Sequence, residues 1–566
     1  MSYRDGRYWI VFNGEIYNFL AIRKELEVLG HSFNSHSDTE ILIAAFAQWG
    51  ETCIQRLRGM FAFAIYDRGD NSSALPSLFL ARDRFGIKPL YYAVLGSAFV
   101  FGSEIKGLLA SGMVSRQVDR QSIWQYLSLG SIPQPNTILA GVKALLPGHT
   151  MKIRLPLDIR TTQYWDIVEN SNRTFPDAKI LSREDALQGL RSLLEEAARL
   201  HLISDVPVGA FLSGGIDSTA VVGLMSKVSG LPIKTYAVGF EGQSQQQNDL
   251  VWAEIAARSF GADHTEVIVT GADVARQYDD MVRAIDQPSL DGTNTYLVSQ
   301  AARRSVKVAL SGLGGDELFA GYAHFKQIAT AARWDSRLRW LGQDGKRWLL
   351  GNIPGRLLPH KETLLKERPW RYATLRNLSG EEEKSQFINR SLMQGLKPTS
   401  LVDLYHQWLR PELDAVSETS YVELQGYLAN TLLRDVDAMA MGNSLEVRPL
   451  LLDHVVAEFA FALPSHLKLG NKENKPALVN AIRDLLPEAI IRREKVGFEL
   501  PLVEWLSGPL RQRALSAFSS SSARDIFSPE FLRQTMNQLV AQQRPPLALW
   551  AYLMLVEWLT AHGLSL

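Results

Sequence analysis

The sequence predicts two domains in tandem. A sheet-rich α+β unit spans 1–165, a linker spans 166–183, and an α/β unit with a parallel sheet and a helical C-terminal part spans 184–566. Short apolar runs with strand composition recur through the first unit. From Val206 to Leu310, strand-like runs alternate with helix-length ones, the pattern of a parallel sheet covered by helices. From about Gly321 onward helical patterns dominate.

Taken in order, Tyr8–Phe12 is an apolar strand running into Asn13-Gly14-Glu15. Ile22, Leu26 and Leu29 then recur at helical spacing, with Gly30 as the stop. Ser37-Asp38-Thr39-Glu40 has the form of a capping box and opens a helix with Leu42, Ala45, Phe46 and Trp49 on one face. Met60–Tyr66, Leu78–Ala81, Leu90–Ala93 and Phe99–Gly102 read as strands. Arg160–Ser182 is polar and without period, as a linker would be. Beyond it, Glu184–Leu202 is helical, and Val206–Leu212, Lys234–Val238, His264–Val269 and Val306–Leu310 are strands. Ser218–Val228 and Asp249–Phe260 are the helices between them. A Gln-rich turn occupies Gln243–Gln247.

Composition narrows the function. Lys+Arg and Asp+Glu both number 60, so the formal charge is zero and a generic nucleic-acid binder is disfavoured. The hydrophobic share of 46% against 21% charged residues fits a folded globular chain. The start, MSYRDGRYWIVF, lacks the basic stretch and apolar core of a signal peptide. Leu547–Val556 is too short to span a bilayer. A cytoplasmic protein without membrane partners is expected. A single cysteine, Cys53, excludes an internal disulfide and a CxxC zinc site.

Two loops can carry chemistry. Leu212-Ser213-Gly214-Gly215-Ile216-Asp217-Ser218 links an apolar strand to a helix. Glycines there let backbone N–H groups approach a phosphate, and the helix start favours its charge. Asp217 can hold Mg²⁺ against phosphate oxygens. No Gly-Lys-Ser/Thr follows, so this is not a Walker A loop. Ser311-Gly312-Leu313-Gly314-Gly315-Asp316-Glu317 is a second strand-to-glycine loop with an acidic end. In an open parallel sheet both would face the ligand crevice at the strand ends.

Ser213–Ser218 resembles the pyrophosphate loop of N-type ATP pyrophosphatases. With Ser311–Glu317, Leu433–Asp437, Ser444–Arg448 and Lys495–Phe498, it is similar to the synthetase domain of glutamine-dependent asparagine synthetases. Phe12–Asn18, Ser37–Glu40 and Arg82–Tyr91 resemble the same family's glutaminase domain, an N-terminal nucleophile-hydrolase-like fold. The resemblance implies ATP-dependent adenylation of a carboxylate, aspartate in the namesake enzymes, then attack by ammonia to give the amide. Leu212, Ser213, Gly214, Gly215, Asp217, Ser218, Val238, Ser311 and Gly312 would hold ATP and its pyrophosphate. Asp217 and Asp316 would ligate Mg²⁺, and Lys495 would offset charge at the reacting centre. Leu313, Glu446 and Arg448 are assigned to the acceptor pocket, Glu446 and Arg448 as a structural or substrate-orienting pair. Asn13 and Gly14 would form the glutaminase oxyanion hole, with Glu15 and Asp38 on the glutamine ammonium. Small-molecule substrates are expected as partners, with a homodimer as the family's usual assembly.

The sequence departs from the pattern in ways that bear on activity. Met1 is followed by Ser2 and not by the family's nucleophilic cysteine, and Tyr8–Asn18 lies well inside the domain in the family, so the glutaminase domain is expected to be truncated at its front, without its nucleophile, and inactive on glutamine. Leu313 stands where the best-known members carry Glu, and Ala438 follows Asp437 in place of Lys or Arg. Arg448-Pro449-Leu450 replaces the usual Arg-Val-Pro. These leave two alternatives to aspartate amidation. One is an amidotransferase or cyclase acting on a sugar acid, a peptide side chain or a β-amino acid. The other is a non-catalytic nucleotide-binding remnant.

Overall fold

The computed structural model describes residues 1–566 except 70–74, 155–157, 243–248, 354–362, 364, 397, 471–472, 495–496, 498–499 and 565, and the side chains of 343, 344, 346 and 347. The Gln-rich turn and Lys495 therefore lie outside the described residues.

The N-terminal domain is built on a six-stranded antiparallel sheet, and a three-stranded sheet packs on it. Its strands are β1 (Ser2–Tyr3), β2 (Tyr8–Ile16), β3 (Gly59–Asp67), β4 (Ser77–Arg82), β5 (Tyr91–Leu95), β6 (Ala98–Gly102), β7 (Val142–Ala144), β8 (His149–Arg154) and β9 (Asp158–Gln163). The orders are β1-β2-β3-β4-β8-β9 and β6-β5-β7. Strand β3 shows why both layers form. Phe61, Phe63 and Ile65 face the helices Phe19–Val28 and Asp38–Trp49. Ala62 and Ala64 face Leu90 and Leu145 beneath the smaller sheet. This two-residue alternation, apolar on both sides, buries the strand from Met60 to Ile65. Ser37 caps its helix by accepting from Thr39 N at 3.1 Å. Glu40 does not close the expected box, because it accepts from Asn34 N and Ser35 N at 2.9 and 2.8 Å and ties down the preceding turn.

The stretch read as an irregular linker contains a helix, Ile167–Thr174. Asp166 caps it, Trp165 Nε1 donates to Glu458 at 2.7 Å, and Phe175 meets Phe459 edge-on at 5.0 Å. The connection is thus packed against the second domain.

That domain holds β10 (Val208–Phe211), β11 (Lys234–Phe240), β12 (Asp263–Val269), β13 (Val308–Ser311) and β14 (Glu446–Pro449), all parallel, in the order β12-β11-β10-β13-β14. Helices Ile216–Ser229 and Asp249–Phe260 make the first crossovers. The chain winds outward from β10 to β12, then returns to place β13 on β10's other side. Ligand crevices open at the carboxyl ends of strands at such a reversal. The helical remainder closes on Ala548–Ala561, which is buried from Leu549 to Leu559. Among the described residues no helix is long and apolar enough to cross a membrane.

Polar contacts join the two domains. Lys88 Nζ meets Asp437 at 2.8 Å, Arg58 Nε meets Asp453 at 2.7 Å, and Asp286 accepts from Ile105 N at 3.0 Å.

Candidate active site at the carboxyl edge of the parallel sheet

A cavity of about 640 Å³ opens at the carboxyl ends of β10, β11 and β13. Leu212, Ser213, Gly215, Asp217, Ser218, Val238, Ser311, Gly312, Leu313 and Asp316, all singled out from the sequence, line it. That volume suits a nucleotide with a small second substrate. Gly214 does not line it. Its φ of +67° places Gly214 against the Trp252 backbone, and its carbonyl accepts from Arg493 Nη1 at 3.1 Å.

The first loop is held by its own hydroxyls. Ser213 N donates to Ser218 Oγ at 3.2 Å, and Ser218 Oγ donates to Gly215 O at 3.2 Å. Gly215 caps helix Ile216–Ser229 without any side-chain acceptor. A helix start of this kind favours an anion. The second loop abuts the first. A Cβ on Gly312 would stand 2.7 Å from Asp217 Cβ and 2.9 Å from Ser218 N, so only glycine lets the two loops touch. Ser311 Oγ is buried in this wall with no hydrogen-bond partner among the described residues.

Lys475 is the residue that the sequence reading missed. Its ammonium bonds Asp217 and lies 2.6 Å from Asp316, joining the two loops through one cation. Burial alone would lower its pKa, but the two carboxylates more than offset that and hold it above the ordinary lysine range. Lys475 lies in a polar stretch of no evident period, with φ +50° just before the helix Pro476–Ala481. A Lys-Pro pair at a helix start was its only local signal. Arg493 was also missed. It donates to Asp249 at 2.5 Å and stacks on Trp252 at 5.1 Å, clamping the glycine loop from outside. Glu317 lines the cavity with Tyr322, whose hydroxyl donates to it at 2.7 Å. Burial, with the Asp316 charge beside it, pushes Glu317 up to about 7.

Asp217 and Asp316 fit Mg²⁺ in donor type, lining one cavity from two adjacent loops beside a helix start. Among the described residues no three His, Cys, Asp or Glu side chains gather as a metal cluster, so phosphate oxygens would complete such a shell.

Two sequence assignments do not hold in space. Glu446 and Arg448 do not line the cavity. Arg448 points to the N-terminal domain, meeting Glu15 at 3.0 Å and Glu446 at 2.7 Å, and donating to the carbonyls of His201 and Ile203. The reason is the position of β14, the sheet's outermost strand, which sets it beside that domain. Glu15 is thereby engaged by Arg448, and burial pushes its carboxyl up to about 7. Asp38 accepts from Ile16 N at 3.0 Å, Asn13 Nδ2 donates to Ser103 at 3.3 Å, and Gly14 takes φ +147° where a Cβ would strike Met60 O. Cys53 is fully buried, and burial pushes its thiol up to about 12. It packs in the core and is no nucleophile.

The family model for asparagine synthase matches residues 189–560, and that for the glutamine amidotransferase domain matches 1–165. The chain belongs to the asparagine synthase family. Asparagine synthetase [glutamine-hydrolyzing] 1 of Bacillus subtilis is 31% identical over 565 residues, 99% of this chain and 86% of that protein. A putative asparagine synthetase of Mycobacterium tuberculosis is 32% identical over 535 residues, covering 91% and 78%. An amidase, chyE, of Penicillium rubens is 28% identical over 554 residues, covering 90% and 79%. The amidotransferase match takes in the whole of 1–165. It does not bear out the expectation of a truncated, glutaminase-inactive domain. In asparagine synthase terms, the cavity lies within the synthase domain and the Glu15–Arg448 pair lies between the two domains.

Proposed function

We propose that this chain is a cytosolic enzyme that uses ATP to adenylate a carboxylate, releases pyrophosphate, and passes the activated acyl group to ammonia, giving an amide and AMP. Aspartate is the first acceptor to test. The reading rests on one observation: two glycine loops, each ending in an acid, meet across Lys475 on a single cavity. Adenylation separates pyrophosphate from the α-phosphate, and charge grows on the leaving oxygens. The Lys475 ammonium and the start of helix Ile216–Ser229 would stabilise that charge. Mg²⁺ held by Asp217 and Asp316 would supply further charge neutralisation to the phosphates. Val238 and Leu212 offer an apolar wall to the adenine. Glutamine and free ammonium are both to be tried as nitrogen donors, since Cys53 is not placed to release ammonia from glutamine.

Leu313 favours a second reading. An apolar side chain lines the cavity where an acid would pair with ammonium, so another carboxylate acceptor fits as well. Pyrophosphate release with ATP, Mg²⁺, ammonium and a panel of acids decides. Dependence on aspartate supports the first reading, dependence on a sugar acid, peptide or β-amino acid supports the second, and none with any acid contradicts both. Asp217→Asn is expected to abolish release; wild-type activity in that variant would remove the metal and phosphate assignment.

A further inference from the structure

One wall of the cavity comes from residues outside the two glycine loops. Asp291, Tyr322, Arg376 and Tyr427 belong to it. Asp291 sits just before the helix Thr293–Ala302. Arg376 comes from the helical stretch between β13 and β14, outside every motif of the family resemblance.

Arg376 is held as a rigid, oriented cation. Its guanidinium lies 3.9 Å from the Tyr427 ring centroid and 4.5 Å from that of Tyr322. Nη2 donates to Glu423 at 3.0 Å, and Glu423 is also met by His324 at 2.9 Å. Nε is buried and has no hydrogen-bond partner among the described residues. Two stacked rings and one carboxylate fix the plane of the fork while leaving its donors incompletely satisfied. Such a planar fork suits bidentate capture of a carboxylate. Tyr427 links this cation to an acid, because its hydroxyl donates to Asp291 Oδ2 at 3.3 Å. Asp291 Oδ1 accepts from Gly292 N at 2.7 Å. This wall thus offers one cation and one anion beside a shared tyrosine.

We propose that Arg376 and Asp291 read the far end of the acceptor, Arg376 taking a second anionic group and Asp291 an ammonium or other N–H donor. The acceptor's reacting carboxylate lies beside Lys475. This rests on the adenylation reading above and assigns its acceptor specificity to two residues outside the loops. Leu313 then contributes only an apolar part of the cavity's lining.

The test compares aspartate with two analogues in the pyrophosphate-release assay. β-Alanine lacks the α-carboxylate, and succinate lacks the amine. Wild type should prefer aspartate over each by about 10–100-fold in kcat/KM, the range of one charge-assisted contact. Arg376→Met should lower kcat/KM for aspartate by about as much and leave β-alanine nearly unchanged. Asp291→Asn should do the same with succinate as the insensitive acceptor. The KM for ATP should stay within about 2-fold in both, which also reports a folded site. Equal losses for aspartate and β-alanine in Arg376→Met would reduce Arg376 to a structural part and overturn the inference. So would a wild type that uses β-alanine as well as aspartate, while the adenylation reading would survive. Release with no carboxylate at all would remove both.

Discussion

Two places in the molecule carry the same charge pattern, one buried cation between two carboxylates. Lys475 stands between Asp217 and Asp316, and Arg448 stands between Glu15 and Glu446. The cations are equally hidden, with side chains 3% and 2% exposed. Their surroundings differ. Arg448 spends further donors on the carbonyls of His201 and Ile203, so its site is closed and joins two domains. Lys475 borders a cavity of about 640 Å³ and has the start of a helix beside it. Buried ion pairs therefore do not announce chemistry. Position at the carboxyl ends of parallel strands, with room for a ligand, does.

The comparison breaks first at Lys475. Lys475→Met should lower pyrophosphate release by about 10²–10³-fold, the cost of losing one preorganised charge-stabilising donor. If that variant retained activity while Arg448→Met lost it, the two sites would have to exchange roles. Arg448→Met is expected to act on stability instead, lowering the unfolding free energy by about 1–3 kcal/mol in urea titration because the half-buried Glu15 and Glu446 would lose their cation. Its KM for ATP should not change.

The smallest effect is a pH dependence at Glu15. Burial raises its carboxyl from the ordinary 4.5 to about 7, outweighing the lowering by Arg448. Between those values the folded state holds a proton that the unfolded state has released. Stability contributed there is full below pH 4.5 and declines as pH rises toward 7. Glu15→Gln should flatten that decline, so its stability relative to wild type should improve from pH 5 to pH 8 in paired urea titrations. A constant difference across that range would mean that Glu15 stays ionised on Arg448 throughout.

Local pattern made most of the strands and crossover helices legible. Helix Asp249–Phe260 is read to the residue, and β10 to β13 fall within two residues of their apolar runs at each end. Helix Ile167–Thr174 was missed because its residues are polar, although Asp166 and Glu169 stand at cap spacing. In the site, the two glycine loops were visible because each packs its signal into seven residues. Lys475 was not, because it lies 258 positions from Asp217 and its role exists only once the chain folds back. Arg448 was misplaced for the converse reason: motif proximity to β14 gave no information on which side of that edge strand its side chain would turn.

The central claim is that the cavity splits ATP between its α and β phosphates to activate a carboxylate. ³¹P NMR of the wild-type reaction with ATP, Mg²⁺, ammonium and the preferred acid tests it most directly. Equal amounts of AMP and pyrophosphate, matched by amide, are expected; ADP with inorganic phosphate would contradict the account.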